Sequence, residues 1–258
     1  MFIAEPVTVP RVALARAWEW ENVGPAHPAL GIVEWWLEDD VSGQFDELIR
    51  QALATPGFYD LRRKRLTGEF RDVLWGVSTA DAECYRISSD RSGRKSAALA
   101  IVTGRTSLLF TVDGEQVTLE RISAGRVCQA AVATLPDVRP AGVTEMTVRR
   151  SEYGPSRVVA ESYDLDVTSD YTAPDQAEQL RALMAAPRSA VHQFYVAART
   201  EGTRSSSLPL TVVDTTSHGR VLTVLQDGPD GEDVISCGPG SADYVSGTLD
   251  NTMRGLQT

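Results

Sequence analysis

Cysteine is scarce in this sequence: three residues among 258, at Cys84, Cys128 and Cys237. An odd number at such wide spacing argues against a disulfide framework and points to a reducing compartment. Histidine is as scarce, with His27, His192 and His218. No Cys-x-x-Cys, His-Glu-x-x-His or Gly-x-Ser-x-Gly motif occurs, nor any Gly-x-x-x-x-Gly-Lys loop. The classes those motifs would announce are therefore not signalled: zinc sites, zinc peptidases, nucleophile-elbow hydrolases and P-loop enzymes. Positive charge is in deficit, 25 Lys and Arg against 35 Asp and Glu, for a net charge of −10. Such a surface repels phosphate, so nucleic acid is not an expected partner. The run Arg62–Arg65 is the one strong basic cluster, and it reads as a solvated face. No apolar run approaches the roughly 20 residues of a membrane span. The stretch MFIAEPVTVP has neither the basic nor the apolar region of a signal peptide, so a cytoplasmic location and no membrane partner are expected.

What is present is a core and a repeat. Hydrophobic residues make up 42%, enough to bury a core in one large domain or two smaller ones. The last third reads as a strand (Ala190–Arg199), a hairpin (Leu208–Asp214 and Arg220–Gln226, turning at Ser217-His218-Gly219), a shorter strand EDVISC, and a helix from near Ser241. That helix carries Val245, Leu249, Met253 and Leu256 on one side. The same order occurs earlier: Ala97–Gly104, Ser107–Val112, a turn at Asp113-Gly114 of the tight type I′ kind, QVTLE, and a helix from Ser123 to Leu135. Leu99 falls where Leu210 falls, and Leu109 near Leu222. A strand precedes each copy, Asp72–Ser78 and Ala190–Arg199, and an amphipathic helix precedes each strand, Gln44–Ala54 and Pro174–Ala185. A repeat of about 110 residues is too long for a solenoid unit and points to two related halves joined in one sheet. The expected halves are 1–136 and 143–258, with 137–142 as linker inside the proline-rich LPDVRPAG.

Between these blocks, residues 6–9 suit a short edge strand and Pro10–Asn22 a helix with proline at its first position. Gly31–Glu38 reads as an aromatic-rich strand, Tyr59–Glu69 as a charged helix or loop, and Glu83–Ser88 and Glu145–Arg150 as strands. Arg157–Val167 suits a long strand or a strand pair, and Thr172–Asp175 a helix start. The polar loop Ser88–Lys95 is expected to project into solvent.

Few residues point to chemistry. Each histidine reads first as structural. The Cys237–Gly240 turn lacks a lysine and the full glycine pattern of an anion loop. The acidic stretches Asp227–Asp233 and Glu38–Asp40 lack the flanking helix pair of a calcium loop and read as solvated. No metal or cofactor is expected. The sheet itself has two kinds of face. His192, Phe194, Val196 and Ala198 point one way, and Gln193, Tyr195, Ala197 and Arg199 the other; Thr211, Val213 and Thr223 fall on the side of the hairpin away from Leu210, Val212 and Leu222. The second face mixes apolar and polar residues as a partner-binding face does, and as a solvated or doubly buried face also would.

Two stretches carry a resemblance. Ala197-Ala198-Arg199 followed by Leu210-Thr211, Asp214-Thr215 and Gly219-Arg220, together with LPDVRPAG after the mid-chain helix, is similar to the pattern of the EspG family, chaperones of type VII (ESX) secretion in actinobacteria. Val213 stands where that family has an aromatic residue. The resemblance implies an α+β fold, a central, mostly antiparallel mixed sheet flanked by two helical bundles with a quasi-two-fold relation between halves. It implies a non-enzymatic function, binding the helical tip of the PPE protein in a PE–PPE heterodimer and keeping it soluble for export. The partner-binding set expected from the loop is Asp90, Arg91, Arg94 and Lys95, and from the sheet Gln193, Tyr195, Arg199, Thr211, Val213 and Thr223. The protein would be a monomer or weak homodimer. A small hydrolase without a recognisable motif, or a scaffold that associates through its sheet edges, are the alternatives.

Overall fold

The structure is a computed structural model, and it describes residues 3–32, 39–154 and 175–257. Most of Gly31–Glu38, all of Arg157–Val167 and the Thr172–Pro174 helix start lie outside the described residues. In chain order the first half holds β1 (Val7–Pro10), α1 (Arg11–Glu21), α2 (Asp39–Ala54), β2 (Tyr59–Asp60), β3 (Arg65–Leu66), α3 (Gly68–Ser78), β4 (Ala82–Asp90), β5 (Lys95–Thr103), β6 (Thr106–Asp113), β7 (Gln116–Arg121) and α4 (Val127–Ala133). The second half holds β8 (Met146–Arg149), α5 (Arg150–Tyr153), α6 (Gln176–Ala185), β9 (Arg188–Thr200), β10 (Thr203–Ser206), β11 (Leu210–Thr215), β12 (Gly219–Asp227), β13 (Asp233–Pro239) and α7 (Ala242–Leu256).

One 11-stranded sheet runs through both halves in the order β1-β7-β6-β5-β4-β9-β11-β12-β13-β8, with β10 pairing the end of β9. Among the described residues its ladders are antiparallel, and one parallel bridge joins Pro140 to Arg220. The order is the same read outward from the centre in either direction. β4 and β9 meet in the middle, two hairpin strands and a third follow on each side, and the first strand of each half closes the edge. Tyr85 pairs with Tyr195 at that junction. The repeat read from the sequence is therefore an internal two-fold arrangement of one continuous sheet.

Two expectations about the repeat are corrected. The residues Asp72–Ser78 form the end of α3, and the counterpart of β9 is β4. Phe70, Val73, Leu74 and Val77 recur at helical spacing and bury one face of α3. A short apolar run does not distinguish strand from buried helix, and packing against α1 and the sheet decides it. Second, Leu99 packs in the core with α1–α3 while Leu210 packs on the opposite face with α4 and α7. Their equivalence slips by one residue, which in a strand reverses the face. Leu109 and Leu222 do share a face.

The sheet is covered unevenly. On one face, α4 and α7 lie across the middle, with Cys128, Ala131, Val245 and Leu249 against Cys84, Phe194, Val196 and Val212. On the other, α1–α3 cover the first-half strands through Leu14, Trp18, Leu53, Phe70 and Phe110. There α6 covers the second-half strands through Leu180 and Leu183 against Val148, Val213 and Val221. Burying each Val, Leu or Phe among these contributes about 1.5–3 kcal/mol over leaving it exposed. The central strands β4 and β9 lie between the two helical groups on this second face.

The turns show why the sequence closes where it does. Among the residues of the β6–β7 turn only Gly114 has a positive φ, 57°. A type I′ turn needs two such residues, so the turn is of another kind, with glycine at its first central position. At Gly219, φ is 93°, and a Cβ placed there would sit 2.5 Å from the carbonyl oxygen of Arg139. The linker is tied down at this point: Arg220 N–H donates to Arg139 O at 2.8 Å and Ala141 N–H to Arg220 O at 2.8 Å. Gly219→Ala is expected to cost about 1–3 kcal/mol from backbone conformation alone. The overlap with the linker adds to that cost. Chemical denaturation against the parent protein reads the difference, and an unchanged midpoint would contradict the tight approach.

Candidate functional site

The strip of sheet between α1–α3 and α6 is built from β4, β9 and β11. Tyr85 and Tyr195 stack across the junction with ring centroids 4.8 Å apart and planes at 11°. Both are half-buried, Gln193 is exposed, and Ile87 is 36% exposed in mid-strand. Ile87, Gln193, Thr211 and Thr223 form one cross-strand row, because Gln193 pairs with both Ile87 and Thr211, and Thr211 with Thr223. Aromatic and aliphatic surface with scattered amides and hydroxyls suits a protein partner.

One end of the strip is fixed by ions. Glu83 is 4% exposed; its Oε2 lies 2.8 Å from His27 Nε2, and its Oε1 accepts from Arg204 Nε. Ala29 N–H donates to His27 Nδ1 at 3.2 Å, which leaves the ring hydrogen on Nε2. Burial alone would raise the Glu83 carboxyl, but His27 and Arg204 outweigh it and the net shift is downward. The His27 ring also meets Tyr85 edge-on at 4.6 Å.

The other expected contact residues divide. Asp90, Arg91, Arg94 and Lys95 do not form a projecting loop. β4 runs to Asp90 and β5 starts at Lys95, leaving a tight hairpin. Asp90 Oδ1 accepts from Ser92 N–H at 2.8 Å, Arg94 N–H at 3.0 Å and the Ser92 hydroxyl at 2.6 Å. Arg94 grips Asp113 with two contacts of 2.6 Å. Val213 is buried under α6, and Arg199 donates to the carbonyls of Gly202 and Ser78. Gln193, Tyr195 and Thr211 are the residues that the structure brings together on the strip, with Thr223 of β12 beside Thr211. The acidic stretch before β13 is met by arginine, Asp230 by Arg149 and Asp233 by Arg150, each at 2.8 Å.

On the opposite face lies a constellation whose assembly the sequence did not show. Ser88 Oγ is 2.6 Å from His192 Nδ1, and His192 Nε2 is 3.0 Å from Asp214 Oδ2. Arg220 donates to Asp214 through Nε at 2.6 Å and Nη2 at 2.9 Å. Arg86 donates to Ser88 Oγ and, at 3.2 Å, to Ser96 Oγ. A carboxylate only accepts, so Nε2 of His192 carries the hydrogen and Nδ1 takes the one from Ser88. A serine, a histidine and an aspartate in sequence of contact invite comparison with a hydrolytic triad. Here Ser88 is 5% exposed and its oxygen is engaged by a guanidinium, so the groups satisfy one another. Burial would raise the Asp214 carboxyl, but Arg220 and then His192 hold it down to about 2. Three of the sequence signals, Asp214-Thr215, Gly219-Arg220 and LPDVRPAG, meet in this network: Arg220 Nη2 also donates to Pro136 O at 2.8 Å, and the Thr215 hydroxyl to Gly219 O at 2.9 Å.

That convergence agrees with the family comparison, in which residues 10–251 match the EspG family. The chain belongs to the EspG family. A search of curated proteins finds no match. Among solved structures, this EspG-family protein is similar to the Mycobacterium tuberculosis type VII secretion system chaperone EspG5, determined in complex with the PE25–PPE41 dimer. The TM-score is 0.63 at 11% identity, with 95% of each chain covered, so the fold is shared across almost the full length. The α+β architecture with a large antiparallel sheet is thus that of an EspG protein. Among the described residues, no helix is long and apolar enough to cross a membrane, and no cluster of three or more His, Cys, Asp or Glu could hold a metal.

Proposed function

We propose that this EspG-family protein is a cytoplasmic, non-enzymatic chaperone of type VII secretion that holds a PE–PPE heterodimer by the PPE tip until export. The carrying observation is the strip of β4, β9 and β11, which no α-helix covers among the described residues and where the Tyr85–Tyr195 stack and Ile87 lie among polar neighbours. The family and the EspG5 complex with PE25–PPE41 support the choice of partner. A stable contact needs roughly 800 Å² on each side and a few central anchors, and the two tyrosines supply the anchors. Arg91, Arg94 and Lys95 at the hairpin are rim residues that steer an acidic partner, and Asp90 is a rim contact beside them. The two halves, 1–136 and 143–258 with 137–142 between them, act as one unit because β4 and β9 pair along their length across the junction.

The test is co-expression with PE–PPE pairs encoded in the same genome, followed by size exclusion with mass determination. A complex containing one copy of each of the three chains is expected. If the folded protein stays alone with every pair, the chaperone reading fails, and a hydrolase screen on the Ser88–His192 side becomes the next step.

A further inference from the structure

Arg86 is 2% exposed, and among the described residues no carboxylate pairs with it. Its hydrogen-bond partners are hydroxyls: Thr134 Oγ1 at 3.1 Å through Nε, and Ser88 and Ser96 through Nη1. Its Nη2 makes no hydrogen bond among the described residues. Burial and the neighbouring charge of Arg220 hold the guanidinium down to about 10. Arg220 itself is matched by Asp214, so one buried positive charge is left over. An unpaired buried cation is costly, and proteins keep one where an anion can meet it.

A space for that anion is present. A pocket of about 280 Å³ is lined by Arg86, Ser88, Ser96, Thr134, His192 and Asp113, among others. A water occupies roughly 30 Å³ of liquid, so an oxyanion and several waters fit. The two carboxylates at the rim are already engaged, Asp113 by Arg94 and Asp90 by the N–H groups of its own hairpin. We infer that this pocket, on the sheet face opposite the tyrosine strip, binds a small oxyanion, with Arg86 as the charge that meets it and the Ser96 hydroxyl as a second donor. The chemistry suits a phosphate ion or a carboxylate group. The inference does not depend on the proposed partner.

Calorimetry on the full-length protein with inorganic phosphate as the probe tests it, with acetate in parallel and sodium chloride matched for ionic strength. Saturable one-site binding of phosphate, acetate or both is expected. Preference for phosphate assigns a free anion, and comparable acetate binding assigns a carboxylate, such as an acidic side chain. Arg86→Gln is expected to weaken binding at least tenfold. Should that variant not fold, Ser96→Ala serves in its place, with several-fold weaker binding and an unchanged thermal midpoint in the absence of phosphate. Absence of saturable binding to the parent protein, or undiminished binding by the folded variants, overturns the site.

Discussion

Asp214→Asn is expected to destabilise the protein by about 3–5 kcal/mol, a large share of the roughly 5–15 kcal/mol that holds a typical domain. The carboxylate is 1% exposed and takes two hydrogen bonds from Arg220 and one from His192. An amide of the same shape supplies one acceptor, leaves Arg220 buried without a counter-charge, and presents N–H groups where acceptors are needed. Urea denaturation of parent and variant measures the loss. Replacing Arg220 by Met in the same chain should recover part of it, because most of the penalty belongs to the orphaned charge. A double variant no more stable than the single one would place the cost in the linker contacts of Arg220 instead.

The same carboxylate gives the protein an acid limit. Its folded-state value is about 2, below its ordinary 3.8. As pH falls, the unfolded chain therefore takes the proton first. The contribution is whole above about pH 4 and is lost as the pH falls through the folded-state value, for a total of about 2 kcal/mol. Asp214→Asn should lack this component, so the gap between parent and variant narrows in denaturation series run toward pH 2.

How far the sequence reached follows from which interactions are local. The hairpins, the closing helix and the two-fold order were legible because turn residues and strand alternation are short-range signals, as at Asp113-Gly114 and Ser217-His218-Gly219. The Ser241 cap is another: its hydroxyl accepts from Tyr244 N–H, where the helix was expected to begin. The end of α3 was misread because its apolar run is too short for periodicity to decide. The Leu99–Leu210 slip arose because β5 is apolar on both faces, which removes the alternation that sets register. The Arg86–Ser88–His192–Asp214 network was invisible for another reason. Its members come from three strands that sequence places far apart, and only the β4–β9 and β9–β11 pairings bring them together. On the candidate strip, the alternation along β9 separated Gln193 and Tyr195 from His192 and Phe194 correctly. It did not show that Val213 lies under α6 or that Arg199 is committed to backbone carbonyls. Tyr85, which completes the stack, had no signal beyond its place in a strand.

Tyr195→Arg is expected to weaken binding of a cognate PE–PPE pair by about 30-fold or more, the loss of roughly 2 kcal/mol that marks a central anchor. The stack on Tyr85 is lost, but its roughly 0.5–1.5 kcal/mol falls on the free and bound protein alike. Two effects on binding act in one direction. Apolar area at the middle of the strip disappears. A guanidinium then has to be desolvated beneath the partner without a carboxylate placed to receive it, since Glu83 is already engaged by His27 and Arg204. In the free protein the substitution is mild, because Tyr195 is half-buried at an open surface and a long arginine can carry its charge into solvent. Unchanged circular dichroism and a thermal midpoint near that of the parent are therefore part of the expected result. Titration of the purified pair into parent and variant measures the affinity. Equal affinity with the fold intact would move the partner off this face of the sheet, and a scan of the opposite face, across α7 and the groove beside it, would follow.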